Sequence, residues 1–163
     1  ASGVVLPGVG AFGEARANLE RAGLTTVRRQ AAADRPFIGI CLGQQLLFER
    51  SEEMGSYEGL GDLPGQVLRF HGPLKVPHMG WNQIHIDRPS LLLAGVANGD
   101  FAYFVHSYYV APADPSMILA HTDYGLPFAS IVGRDQLFGL QFHPEKSQAV
   151  GLTMLANFAR LTA

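Results

Sequence analysis

The chain has 163 residues, 47% of them hydrophobic and 16% charged, which is enough apolar material for one compact domain with an ordinary core. Its 12 basic and 14 acidic side chains leave a net charge of −2, so nothing draws it globally to nucleic acid or an anionic membrane. The longest apolar stretch, Leu91 to Ala97, falls far short of the roughly 20 residues a membrane helix needs, and no charged-then-apolar leader opens the chain. The single cysteine excludes an internal disulfide and suits a reducing, cytoplasmic compartment. Glycines and prolines are spread along the chain as turn punctuation, so residues 1–163 read as a single domain without repeats or linkers.

In chain order, Gly3 to Leu6 reads as a short strand that stops at Pro7 and Gly8. Glu14 to about Ala33 favours helix, with Gly23 as the break between two pieces. Phe37 to Cys41 reads as a buried strand and Leu42 to Arg50 as a helix with Leu46 and Leu47 inward. This strand–helix alternation predicts an α/β fold: a largely parallel central sheet flanked by helices. Six strand-like runs follow: Val67 to Phe70, Ile84 to Ile86, Phe101 to Val110, Met117 to His121, Ala129 to Val132 and Leu137 to Phe142. They are too closely spaced for helical crossovers and should pair as an antiparallel extension. A last helix from near Ser147, with Leu152, Leu155, Ala156 and Ala159 at helical spacing, should cover one sheet face.

Chemistry concentrates in three segments. Gly39-Ile40-Cys41-Leu42-Gly43 places a cysteine between glycines at a strand-to-helix junction, the arrangement of a nucleophile elbow. There the sulfur is pushed out of the sheet beside a helix N-terminus, which is expected to lower its pKa. A lone cysteine is more commonly a buried core residue, so the pentapeptide alone leaves both readings open. In Phe142-His143-Pro144-Glu145, Pro144 biases His143 towards an extended conformation, and residues two apart then project to one side. Glu145 can therefore fix the imidazole tautomer and stabilise the imidazolium, as in a triad; the alternative is a strand end with two solvated polar groups. Leu6-Pro7-Gly8-Val9-Gly10-Ala11-Phe12 is a glycine-rich turn after a strand, whose bare amides can hold an oxyanion, with Val9 and Leu42 as expected donors and Gly8 in the turn. It lacks the spacing of a phosphate loop, and the six histidines show no metal-ligand pattern.

Together these segments resemble the class I, triad-type glutamine amidotransferases, in the right order over nearly the whole chain. Leu6 to Gly13, Pro77-His78-Met79-Gly80-Trp81-Asn82, Tyr103-Phe104-Val105-His106-Ser107-Tyr108 and Gln141 to Ser147 are further similar to the glutaminase subunits of imidazole glycerol phosphate synthase. The resemblance implies a flavodoxin-like sheet and a Cys41–His143–Glu145 triad that hydrolyses glutamine without metal or organic cofactor. It also implies a (β/α)8-barrel cyclase partner that consumes the ammonia in histidine biosynthesis. By the same resemblance Gln45, Ser107 and Tyr108 hold glutamine, while His78, Met79, Trp81, Tyr103 and Lys146 lie near the partner interface. For Trp81, its neighbours Gly80 and Asn82 suggest a surface loop; an ordinary core aromatic is the alternative. The family opens with a further strand, helix and strand, so the sheet is expected to lack its N-terminal strand–helix here. A glutaminase serving another synthase and a silent partner-binding module are the rival readings.

Overall fold

The computed structural model describes residues 1–163. Strand and helix alternate at first: β1 (Val4–Leu6), α1 (Phe12–Arg21), α2 (Leu24–Asp34), β2 (Phe37–Ile40) and α3 (Leu42–Leu46). Strands then dominate: β3 (Phe48–Ser51), β4 (Tyr57–Glu58), β5 (Leu63–Arg69), β6 (His78–Gln83), β7 (His85–Ile86), β8 (Phe101–His106), β9 (Tyr108–Pro112), β10 (Ile118–Asp123), β11 (Pro127–Arg134) and β12 (Leu137–Leu140). Helix α4 (Gln148–Leu161) closes the chain. No helix is long and apolar enough to cross a membrane.

The expected α/β architecture forms. A six-stranded sheet runs in the order β1-β2-β12-β11-β10-β7. Its parallel part is confined to β1, β2 and β12, and the ladders from β12 to β11, β10 and β7 are antiparallel, so the sheet is mixed rather than largely parallel. Beside it stand a four-stranded sheet, β4-β3-β5-β9, and a two-stranded ribbon, β6-β8. All four residues of β2 are buried, as expected of a strand covered on both faces. One core, on the α1 and α3 side, includes Phe12, Phe37, Leu46, Leu47 and Phe48; the other, on the α4 and ribbon side, includes Ile38, Phe104, Phe138, Phe142, Met154 and Phe158.

Several elements depart from the sequence reading. The helix expected over Leu42 to Arg50 stops at Leu46, because Phe48–Ser51 pairs with β4 and β5. Phe48 and its register partner Leu63 are both fully buried. Each such burial stabilises by about 1.5–3 kcal/mol, which outweighs helix preferences of a few tenths of a kcal/mol per residue. Gly80 to Asn82, expected as a surface loop around Trp81, lie in strand β6, in register with β8 through pairs such as Trp81 with Tyr103. The run Phe101 to Val110 splits at Ser107 into β8, on the ribbon, and β9, on the four-stranded sheet. In α4 the inward residues are Gly151, Met154, Asn157 and Phe158, whereas Leu152 is 61% exposed.

Three glycine contacts fix what surrounds the site. Gly39 and Gly139 are cross-strand partners in β2 and β12. A Cβ on Gly39 would lie 2.5 Å from the Gly43 carbonyl oxygen, and one on Gly139 2.5 Å from Gln44 Cγ, so the pair forms the seat on which α3 lies. Gly151 in α4 does the same for the single 3-10 turn Pro144–Lys146, since its Cβ would lie 1.9 Å from the Pro144 carbonyl oxygen.

Candidate active site

Cys41 sits between β2 and α3 with φ 54° and ψ −112°, outside the regions most residues favour. Tight packing keeps it there: its N–H donates to the Leu140 carbonyl at 2.7 Å, and a Cβ on Gly43 would lie 1.8 Å from the Leu6 carbonyl oxygen. The elbow read from Gly39 to Gly43 therefore forms, and both glycines are required by backbone contact. Gly8 lies close against this turn, its Cβ position 3.1 Å from Leu42 Cβ and 3.2 Å from Gly43 N.

His143 follows β12 and is held by its backbone. Its N–H donates to the Tyr103 carbonyl at 3.0 Å, and Ser147 Oγ donates to its carbonyl at 2.7 Å while accepting from Tyr103 N–H at 3.0 Å. The imidazole Nδ1 meets Glu145 Oε1 at 3.0 Å. With Nδ1 as the donor to the carboxylate, Nε2 is left as the basic nitrogen.

A cavity of about 430 Å³ joins these pieces. Val9, Gly10, Cys41, Leu42, Gln45, Glu53, Ser107, Tyr108, His143 and Lys146 are among its lining residues. Leu42, the first residue of α3, and Val9, 82% exposed, both line this cavity. Gln45 Nε2 donates to the Tyr108 carbonyl at 3.2 Å and to Gln141 Oε1 at 3.1 Å, and Gln141 Nε2 donates to Cys41 Sγ at 3.8 Å. Of the residues expected at the site, only Gly8 and Glu145 do not line the cavity.

Burial pushes the Cys41 thiol up to about 11, against the Leu42 N–H and, more weakly, Lys146, which lower it; Glu145 and Glu53 add to the rise. This corrects the expectation of a lowered value. Helix α3 has five residues, too few turns for a strong dipole, and desolvation of the anion is the larger effect. The free chain therefore holds a neutral thiol.

Two residues enter that the sequence reading missed. Glu53 lines the cavity and accepts from Phe12 N–H at 3.1 Å; burial holds its carboxyl above the ordinary range, and the Phe12 bond partly offsets this. Gln141, fully buried, fixes the amide of Gln45. Gln141 lies in the motif already quoted, whereas Glu53 is one acidic residue in a run of them.

The residues expected at a partner face divide. Met79 and Trp81 are 63% and 47% exposed on the outer face of the ribbon, and Trp81 packs edge-on against half-buried Tyr103. Lys146 is exposed at the cavity rim. His78 is 4% exposed and points the other way, because side chains alternate along a strand and it shares its face with Asn82 rather than with Met79 and Trp81. Its ring stacks on Phe104 and Tyr124, which removes it from the outer face.

The sequence profile described as "Glutamine amidotransferase class-I" matches residues 2–161. A protein of Desulfitobacterium hafniense named "Imidazole glycerol phosphate synthase subunit HisH" is 50% identical over 159 residues, covering 97% of this chain and 75% of that protein. One of the same name from Moorella thermoacetica is 52% identical over 162 residues, covering 99% and 77%. Among solved structures, one described as "Crystal structure of glutamine amidotransferase" superposes with a TM-score of 0.72 at 18% identity, covering 99% of this chain and 79% of that one, and supports the fold. The chain belongs to the class-I glutamine amidotransferases and, within them, to the HisH subunits of imidazole glycerol phosphate synthase.

Proposed function

We propose that this chain hydrolyses glutamine to glutamate and ammonia, with Cys41 as nucleophile, His143 as proton carrier and Glu145 as the group that orients and stabilises the imidazole. The observation that carries the reading is the 3.0 Å contact of His143 Nδ1 with Glu145 beside the cavity that Cys41 lines. Because the thiol is neutral at physiological pH, His143 takes its proton as sulfur attacks the substrate's side-chain amide carbon. The amides of Leu42 and Val9 receive the developing oxyanion. Protonated His143 gives its proton to the departing ammonia, leaving a thioester on Cys41; the same imidazole then activates a water that releases glutamate.

Substrate specificity follows from the wall. Gln45, with both amide hydrogens engaged by Tyr108 and Gln141, presents its carbonyl oxygen as an acceptor, and the Ser107–Tyr108 backbone supplies further polar groups. Glu53 supplies a negative charge for the substrate's α-ammonium group.

The ammonia is used by a (β/α)8-barrel cyclase subunit that seats on Met79, Trp81, Tyr103 and Lys146, in the cytoplasm, where the pair serves histidine biosynthesis. The HisH names of the relatives and the exposed aromatic face of the ribbon support this reading. The test is ammonia release from glutamine by the chain with and without such a cyclase. Slow release alone and faster release in the complex is expected; equal rates would contradict coupling, and no release in either state would contradict the hydrolysis itself.

A further inference from the structure

The inner face of the ribbon carries two buried histidines that the hydrolysis scheme does not use. His78 and His106 are register partners on β6 and β8, 4% and 6% exposed. His78 Nδ1 lies 2.9 Å from His106 Nε2. His106 Nδ1 lies 2.8 Å from the Tyr108 carbonyl, which can only accept, so Nδ1 carries the hydrogen and Nε2 accepts from His78. His78 Nε2 is then an acceptor too, and Asn82 Nδ2 meets it at 3.2 Å. Every ring nitrogen has one role and one partner, which requires both rings to be neutral. Burial favours that state, holding His78 down to about 4 and His106 to about 3.

The row continues into the active site. The Tyr108 carbonyl that accepts from His106 also accepts from Gln45 Nε2, whose other hydrogen goes to Gln141, and Gln141 donates to the Cys41 sulfur. An unbroken line of hydrogen bonds thus runs from Asn82 on the ribbon to the nucleophile. The opposite face of the same two strands is the exposed surface of Met79, Trp81 and Phe101.

We propose that the His78–His106 pair is a positioning element: it pins the Tyr108 carbonyl, and through it Gln45 and Gln141, in register with the ribbon, so that a protein seated on the ribbon's outer face sets the geometry of the glutamine wall. This rests on the glutaminase reading above. His78 is the informative position, since it lines neither the cavity nor the outer face. His78→Phe keeps an aromatic ring between Phe104 and Tyr124 and removes both hydrogen bonds. His78→Asn puts a side-chain N–H near the place of Nδ1.

The experiment uses the complex of the full-length protein with its cyclase and measures synthesis driven by glutamine and by added ammonium salt, with melting temperature followed in parallel. For His78→Phe, glutamine-driven kcat/KM is expected to fall about tenfold while ammonium-driven synthesis stays within about twofold, and His78→Asn should recover most of the loss. The inference is overturned if His78→Phe keeps glutamine-driven kcat/KM within twofold, or if both variants lose it equally and in step with melting temperature. A wild-type complex that uses ammonium but not glutamine would instead overturn the glutaminase reading, and this inference with it.

Discussion

The elbow Gly39–Gly43 and the loop Pro7–Ala11 border the same cavity, yet the chain around them holds them very differently. At the elbow an added Cβ would meet backbone at 2.5 Å on Gly39 and 1.8 Å on Gly43. On the loop, Gly10 has φ 96° with nothing within 4 Å of its Cβ position, and Val9 is 82% exposed. The loop is fixed at its ends, by Gly8 against Leu42 and by Glu53 accepting from Phe12 N–H. Sulfur is therefore placed by packing before substrate arrives, whereas the Val9 amide depends on whatever lies against an open loop. With the roles proposed above, the nucleophile would be fixed in advance and the Val9 contribution to oxyanion stabilisation conditional.

The largest effect is expected of Gly43→Ala. Overlap with the Leu6 backbone should cost about 3–5 kcal/mol, read as a fall in the denaturant midpoint; a midpoint unchanged from wild type would show that the elbow is not sterically locked.

Next in size is an alkaline effect. The folded thiol titrates near 11 against an ordinary 9.0, so the unfolded chain loses this proton first. The stability that comes from burying the neutral thiol is intact below pH 9 and lost as pH rises through 11, by about 2–3 kcal/mol in all. Urea titrations of Cys41→Ser, which lacks this titration, should show a correspondingly flatter alkaline limb, and matching limbs would mean the sulfur is not desolvated.

Glu53→Gln probes the loop's anchor together with the proposed ammonium site. KM for glutamine should rise about tenfold with kcat changed much less, and an unaltered KM would remove Glu53 from substrate binding. The smallest effect belongs to Gly10→Ala, where only the left-handed backbone opposes a side chain: about 1 kcal/mol of stability. A loss as large as that of Gly43→Ala would erase the contrast between elbow and loop.

Legibility in the sequence followed the same division. Gly39, Cys41 and Gly43 could be read because backbone crowding leaves glycine no substitute, and Gly23 because a left-handed link between helices favours it. His143 and Glu145 could be read because two-residue spacing in extended chain has one geometric outcome. Strand β6 was hidden, since Pro77, Gly80 and Asn82 carry loop chemistry and its stability comes from pairing with a strand some 20 residues further on. His78 is grouped with Met79 and Trp81 by resemblance alone, and the alternation of β6 turns it instead to the face of its register partner His106. The direction of the Cys41 shift was illegible for a related reason: five residues of α3 and a covering of distant side chains decide it, and neither shows in a pentapeptide.

In the proposed mechanism Cys41 attacks glutamine's side-chain carbonyl. The most direct measurement is the intact mass of the chain, in complex with its cyclase, after exposure to a chloroketone analogue of glutamine. One adduct per chain is expected, mapped to Cys41, slowed by added glutamine and absent from Cys41→Ala. An adduct on another residue, or glutamine hydrolysis that survives in Cys41→Ala, would contradict the account.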